Sequence, residues 1–213
     1  MALQLNPEEA RIFRIVHKDN LAWILDHGLH ARNGSVVDPN FKMIGNPDLI
    51  DKRATRIVPV SPGGVLSDYV PFYFTPHSIM MFNIHTGRSV ARIPNEEILI
   101  LVSSLGHLAA NGVRFIFTNQ HAYPRAAEYF TDTADLHQID WPLLERRDFQ
   151  HDPEDPGKKE RYQAEALAWQ SVPLAALQGV ACYSQTIERE LRVEINARGL
   201  SLKTGVQSKW YFL

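Results

Sequence analysis

Apolar positions along the chain fall into short blocks with two different periods. "RIFRIVH" carries Ile12, Phe13, Ile15 and Val16 and predicts a strand. In "NLAWILDHGL", Leu21, Ile24 and Leu25 recur at helical spacing, with Asp19 or Asn20 as cap and Gly28 as the stop. Upstream, Asn6-Pro7-Glu8-Glu9 has the cap, proline and first-turn acids of a helix start. Residues 30–64 are loop-rich, with a short helix at "NPDLIDKRA". "SDYVPFYF" predicts a strand, and "TPHSIMMF" a helix capped by Thr75 with Pro76 at its first position. The run "EEILILVSS" is too short for periodicity to separate strand from helix. "VRFIFTN" predicts a central strand and "YPRAAEYF" a short helix. The polar, Pro/Gly-broken segment 148–160 predicts a mobile loop. "QAEALAW" and "GVACYS" then read as strands and "LRVEINA" as helix or strand. The sum is α+β, with short strands more numerous than long helices.

Length fits this pattern to one domain, residues 1–213. Formal net charge is −2, so no global field draws nucleic acid or an anionic membrane, and any such binding must use a local basic patch. The single cysteine, Cys182, excludes an internal disulfide and lies in an apolar run, which predicts a buried, inert thiol. No apolar run approaches a membrane span and no signal-peptide pattern opens the chain; a cytoplasmic protein is expected.

Ready-made catalytic signatures are missing. There are 9 histidines but no metal-ligand spacing, so no metal is expected. Phosphate-binding glycine loops and a serine nucleophile elbow are also missing, and Gly63-Gly64 reads as a turn. What remains is sparse: Arg14 and His17 near a strand end, an aromatic strand holding Tyr73, Arg53 and Arg56 in or after the "LIDKR" segment, and Glu165 heading an apolar strand. Each also has an ordinary reading, as a solvated edge residue, a core aromatic or an end-cap.

Taken together these blocks resemble a known superfamily. "DNLAWILDHGL", "PFYFTPHSIMM" and "AEALAW" resemble the strand–helix, Tyr-Phe strand and catalytic-Glu strand of poly-ADP-ribose polymerases. The chain is more similar still to the DarT family, the DNA ADP-ribosyltransferase toxins of bacterial DarT–DarG toxin–antitoxin pairs. The segments RIVHKDNLAWILDHGL, IGNPDLIDKRATRIVPV, SDYVPFYFTPHSIMMF, FTNQHAYP and RYQAEALAW occur in that family's order and cover nearly the whole chain. Two departures stand out. Arg14 occupies the position of the polymerases' histidine, with His17 three residues on, and Ala166 and Ala168 stand where bulkier strand residues are expected.

The resemblance implies an ADP-ribosyltransferase fold, with two small packed central sheets and flanking helices. It implies NAD as ADP-ribose donor, without a metal, and thymidine in single-stranded DNA as acceptor. It also implies a cognate antitoxin, a DarG-like macrodomain protein, as partner. Glu165 is the expected catalytic carboxylate, preferred over Glu160 because a strand holds geometry more tightly than a polar loop. Arg53 or Arg56 is the expected catalytic arginine, with Arg53 favoured by the family's spacing. Arg14, His17, Asn20, Gly45, Tyr73, Ser78 and Met81 are the expected NAD contacts. Lys42, His121, Tyr123 and Arg125 are the expected DNA contacts, with Arg88 and Arg92 as further basic candidates. Two rival readings stay open: the same fold acting on a protein or RNA acceptor, and a non-catalytic nucleotide- or nucleic-acid-binding module. The joint presence of the loop arginines and Glu165 argues against the second.

Overall fold

A computed structural model describes residues 5–213. The "RIFRIVH" run forms β1 (Arg11–His17) and lies near the middle of an eight-stranded sheet. A two-stranded sheet, β2 (Leu29–His30) with β8 (Ser171–Val172), lies beside it. The expected pair of sheets is therefore present, but very unequal in size. The large sheet adds β3 (Tyr69–Tyr73), β4 (Ile98–Ser104), β5 (Phe115–Thr118), β6 (Tyr129–Phe130), β7 (Glu165–Trp169), β9 (Gly179–Cys182) and β10 (Lys203–Val206). Its order is β10-β9-β4-β1-β3-β7-β5-β6, so non-consecutive strands meet at its centre. "VRFIFTN" thus supplies the strand next to one edge instead of a central one. "EEILILVSS" resolves as strand β4, nearly all of it buried.

Flanking helices are α1 (Leu21–His27), α2 (Pro47–Arg53), α3 (Ile79–Thr86), α4 (Leu105–Ala110), α5 (Trp141–Arg146), α6 (Lys158–Arg161) and α7 (Gln185–Ala197). The helix expected from Asn6 is a single turn. Asn6 Oδ1 accepts the Glu8 N–H, and Ala10 then takes φ 40° and turns the chain into β1. The cap of α3 is Ser78, three residues later than expected, because Thr75 uses its hydroxyl on the His77 N–H in a local turn. "YPRAAEYF" is no helix: it makes a turn and then β6, where Phe130 pairs with Phe117 and stacks on it at 5.3 Å. Aromatic pairing across strands outweighs the weak helical preference of so short a segment.

Ala166 and Ala168 are explained by the register. Both are fully buried, and Ala166 is paired on one side with Phe72 and on the other with Phe117. Small residues on β7 leave room for the aromatic layer of Phe72, Phe74, Phe117 and Trp141. Cys182 is buried, and burial pushes its thiol up to about 11, so it stays a thiol at neutral pH.

Gly28 joins α1 to the small sheet at φ 79°, where a Cβ would lie 2.5 Å from the Val172 carbonyl oxygen. Both strain and collision oppose any side chain there. Gly28→Ala is expected to destabilise the fold by about 2–3 kcal/mol, read as a lower midpoint in denaturant with an unchanged slope.

Candidate active site

Glu165 opens β7 and is 1% exposed. The β3–β7 register sets it directly opposite Tyr73, and β5 holds it from the other side, Thr118 Oγ1 accepting the Glu165 N–H at 3.2 Å. Its carboxylate is engaged at both oxygens. Arg53 Nη1 donates to Oε2 at 2.9 Å, and the Ala122 N–H donates to Oε1 at 3.0 Å. His121 Nε2 lies 3.7 Å from Oε1. Burial alone would raise the carboxyl pKa, but Arg53, His121 and the Ala122 N–H outweigh it and hold it below its usual range. A fully buried carboxylate is thereby kept ionised.

Arg53 reaches it from the last turn of α2, a helix started by Asn46 capping Leu49 and by Pro47 in the first turn. Across the sheet, Arg14 on β1 donates from Nη1 to the Pro71 carbonyl at 2.8 Å, and burial lowers its guanidinium to about 10. Burial, followed by the charge on Glu165, pushes the Tyr73 hydroxyl up to about 12, so it remains a proton donor. Burial lowers His121, which is therefore neutral near pH 7.

These groups line one cleft of about 160 Å³. Among the sequence-predicted residues, Arg14, Asn20, Gly45, Arg53, Tyr73, His121 and Glu165 line it. The others are placed elsewhere, each for a visible reason. His17 has its Nε2 on Glu97, and its Nδ1 accepts the Asp19 N–H, which fixes the start of the turn before α1. Ser78 spends its hydroxyl on capping α3 through the Met81 N–H, and Met81 points into a core cluster; Met80 is the methionine that lines the cleft. Arg56 donates to the Pro124 carbonyl at 3.2 Å and does not meet Glu165, which separates the two arginines. Lys42 pairs with Asp19 outside the cleft, while its backbone N–H and carbonyl are both held by the buried Asn20 side chain. Tyr123 is half-buried against the cluster of Val58, Leu66 and Ile116, and Arg125 is exposed on the same turn. Arg88 and Arg92 are exposed beyond α3.

The sequence reading missed the apolar wall made by Phe41, Met43, Ile44, Leu49, Ile50 and Met80. Phe41 and Met43 are about half exposed in a polar loop, and such apolar residues among Asn, Lys and Gly are the signal that was available. The segment 148–160 also differs from the expected mobile loop. Lys158 pairs with Asp148 and Asp152, and Arg161 with Asp155 and Asp140, so ion pairs tie it to its neighbours. Glu160 contributes its carbonyl to the His121 N–H, and its carboxylate takes no part in the cleft. A larger surface groove of about 1030 Å³, between α4 and β10, gathers no comparable set of buried charges. Among the described residues, no three His, Cys, Asp or Glu side chains converge as metal ligands would.

Residues 13–212 match the family model for "ssDNA thymidine ADP-ribosyltransferase, DarT". The chain belongs to the DarT family. A DNA ADP-ribosyl transferase of Escherichia coli O127:H6 is 54% identical to it over 209 residues, which is 98% of this chain and 96% of the relative. The structure of Thermus sp. 2.9 DarT in complex with ADP-ribosylated ssDNA superposes with a TM-score of 0.89 at 32% identity, covering 100% of both chains. Thermus sp. 2.9 DarT in complex with NAD+ superposes with a TM-score of 0.85 at 33% identity, covering 97% of this chain and 99% of that one. As a DarT-family member the chain is an NAD-using DNA ADP-ribosyltransferase, and its α+β architecture is the ADP-ribosyltransferase fold.

Proposed function

We propose that this chain transfers ADP-ribose from NAD to a thymidine base in single-stranded DNA, with Glu165 and Arg53 at the reacting centre. The observation that carries the assignment is the buried, ionised Glu165 held by Arg53 at 2.9 Å. Cleavage of the nicotinamide–ribose bond passes through an oxocarbenium-like transition state, and a carboxylate kept charged in a dry cleft stabilises the positive charge that develops there. Two buried donors in the cleft, Arg14 Nε and Arg53 Nη2, have no hydrogen-bond partner among the described residues, a pattern that suits a polar, anionic ligand such as the dinucleotide. Tyr73 offers its ring and a retained hydroxyl beside Glu165. Asn20 acts indirectly, by holding the backbone of residue 42 next to Phe41 and Met43.

The cleft volume of about 160 Å³ is below the roughly 300–1,000 Å³ of most small-molecule sites. On this reading one end of NAD occupies it, and the lining segment with Phe41 and Met43 covers the remainder. The ring N–H of thymine is weakly acidic, so its loss needs a base or a cation nearby. His121, neutral through burial, and Arg53 are the two groups beside Glu165 that supply these. Starting from a single strand spares the cost of unstacking a paired base. The turn bearing the half-buried Tyr123 and the exposed Arg125 adjoins His121 and offers the acceptor strand an aromatic and a cation.

A macrodomain antitoxin as partner and a cytoplasmic location belong to the same proposal. Among the described residues no helix is long and apolar enough to cross a membrane. The test is to incubate the protein with NAD and either oligonucleotides or candidate proteins, and to weigh the products. One ADP-ribose on thymine-containing single strands, with none on strands lacking thymine, is the expected result. Label found on protein with the DNA unmodified would overturn the acceptor assignment.

A further inference from the structure

Glu165 as the reacting carboxylate leaves one question about its second oxygen. Oε1 depends on a backbone N–H, that of Ala122, a fully buried residue with no side chain able to steer it. Ala122 lies in the turn between β5 and β6, and that turn is held from several sides. The Tyr129 hydroxyl, on β6, donates to the Ala122 carbonyl at 2.5 Å. The Arg56 guanidinium donates to the Pro124 carbonyl at 3.2 Å, and its charge acts on the nearby Tyr129 hydroxyl. At the near end of the turn Thr118 Oγ1 donates to the Gln120 carbonyl at 2.6 Å. Tyr129 is itself paired with Thr118 across the β5–β6 ladder. Neither Tyr129 nor Arg56 lines the cleft.

We infer that Tyr129 and Arg56 are positioning residues for ADP-ribosyl transfer, which aim the Ala122 N–H at Glu165 through the turn between β5 and β6. The inference rests on the reading of Glu165 as the reacting carboxylate. It gives the second arginine of the "LIDKRATR" segment a role distinct from that of Arg53, which meets the carboxylate directly. Without the Tyr129 hydroxyl the Ala122 peptide has one anchor fewer, and the carboxylate loses part of a bond that favours its charged form. Arg53 from α2 and Tyr73 from β3 stay in place, with Arg14 on β1 beyond Tyr73, while His121 belongs to the turn itself and shifts with it. Glu160 acts on His121.

The test is steady-state transfer to a thymine-containing single strand, measured from about pH 3 to 8.5 so that the acid limb of the lowered Glu165 falls inside the window, for wild type, Tyr129→Phe, Arg56→Met and the double variant. Phe keeps the ring of residue 129 and removes only the hydroxyl. Each single variant is expected to lower kcat about tenfold, the scale of one buried hydrogen bond, with KM for NAD within about twofold of wild type. The acid limb of the kcat profile is expected to move up by about half a pH unit or more. The double variant is expected to lie close to the single ones, because both changes release the same turn. Glu165→Gln is run alongside.

Wild-type kcat and an unmoved acid limb in both single variants, with Glu165→Gln inactive, would overturn the positioning role alone. So would a loss of kcat with no pH shift, which a general loosening of the fold would produce. Retained activity in Glu165→Gln would instead overturn the carboxylate assignment. If Tyr129→Phe does not fold, Arg56→Met alone carries the same comparison.

Discussion

Glu165→Gln is expected to lower ADP-ribosyl transfer by at least about 10³-fold, because an amide carries no charge to set against the developing cation. The side chain keeps its shape, and the neutral Gln carbonyl still accepts from Arg53 or from the Ala122 N–H, the two donors that now hold the carboxylate. The fold should therefore survive, and NAD binding, measured by calorimetry or by quenching of tryptophan fluorescence, should change by less than about tenfold. A variant with unchanged transfer, set against a dead Glu160→Gln, would move the chemistry to the α6 carboxylate. The structure gives no reason for that exchange, since only the carbonyl of Glu160 is used near the cleft.

The second large effect is expected from Arg53→Met, and it touches stability as well as activity. The guanidinium and the carboxylate have side chains only 12% and 2% exposed, so removing the cation leaves a buried anion with weaker compensation. A loss of about 3–5 kcal/mol is expected near pH 7, together with near-complete loss of transfer. Adding Glu165→Gln to Arg53→Met should recover much of the stability and none of the activity. The sign with pH follows from the lowered native pKa of Glu165. Pairing stabilises the fold fully above the unfolded value of 4.5, and that stabilisation is lost as pH falls through the lower native value. The deficit of Arg53→Met is thus expected to shrink in acid. Denaturant titrations at pH 7 and near pH 4 measure it; an equal or larger deficit at the lower pH would refute the ion-pair account.

How far the primary structure spoke for itself differs from element to element. β1, α1, α2, β3 and β7 carry strong local signals: apolar runs bounded by caps, proline or glycine. These elements also hold or directly follow Arg14, Asn20, Arg53, Tyr73 and Glu165, the predicted residues that line the cleft. The predicted residues that lie outside the cleft share a physical reason. Ser78, Met81 and His17 stand at positions where function and local architecture compete for the same atoms, and their hydrogen bonds or burial show that architecture won. Tyr129 was invisible for the opposite reason: its hydroxyl acts on the backbone of a residue in another turn, and no spacing encodes that contact. The unequal sheets were equally hidden, since strand order depends on pairing between distant segments.

The link between Arg53 and Glu165 spans 112 positions of the chain. A polypeptide emerging from the ribosome therefore exposes Arg14, Arg53 and Tyr73 well before β7 exists to pair with β3. Until that strand docks, the apolar wall and the arginines have no carboxylate between them, and on the proposed assignment of Glu165 the half-made chain is expected to be unable to carry out the transfer, the site being completed only by a late strand.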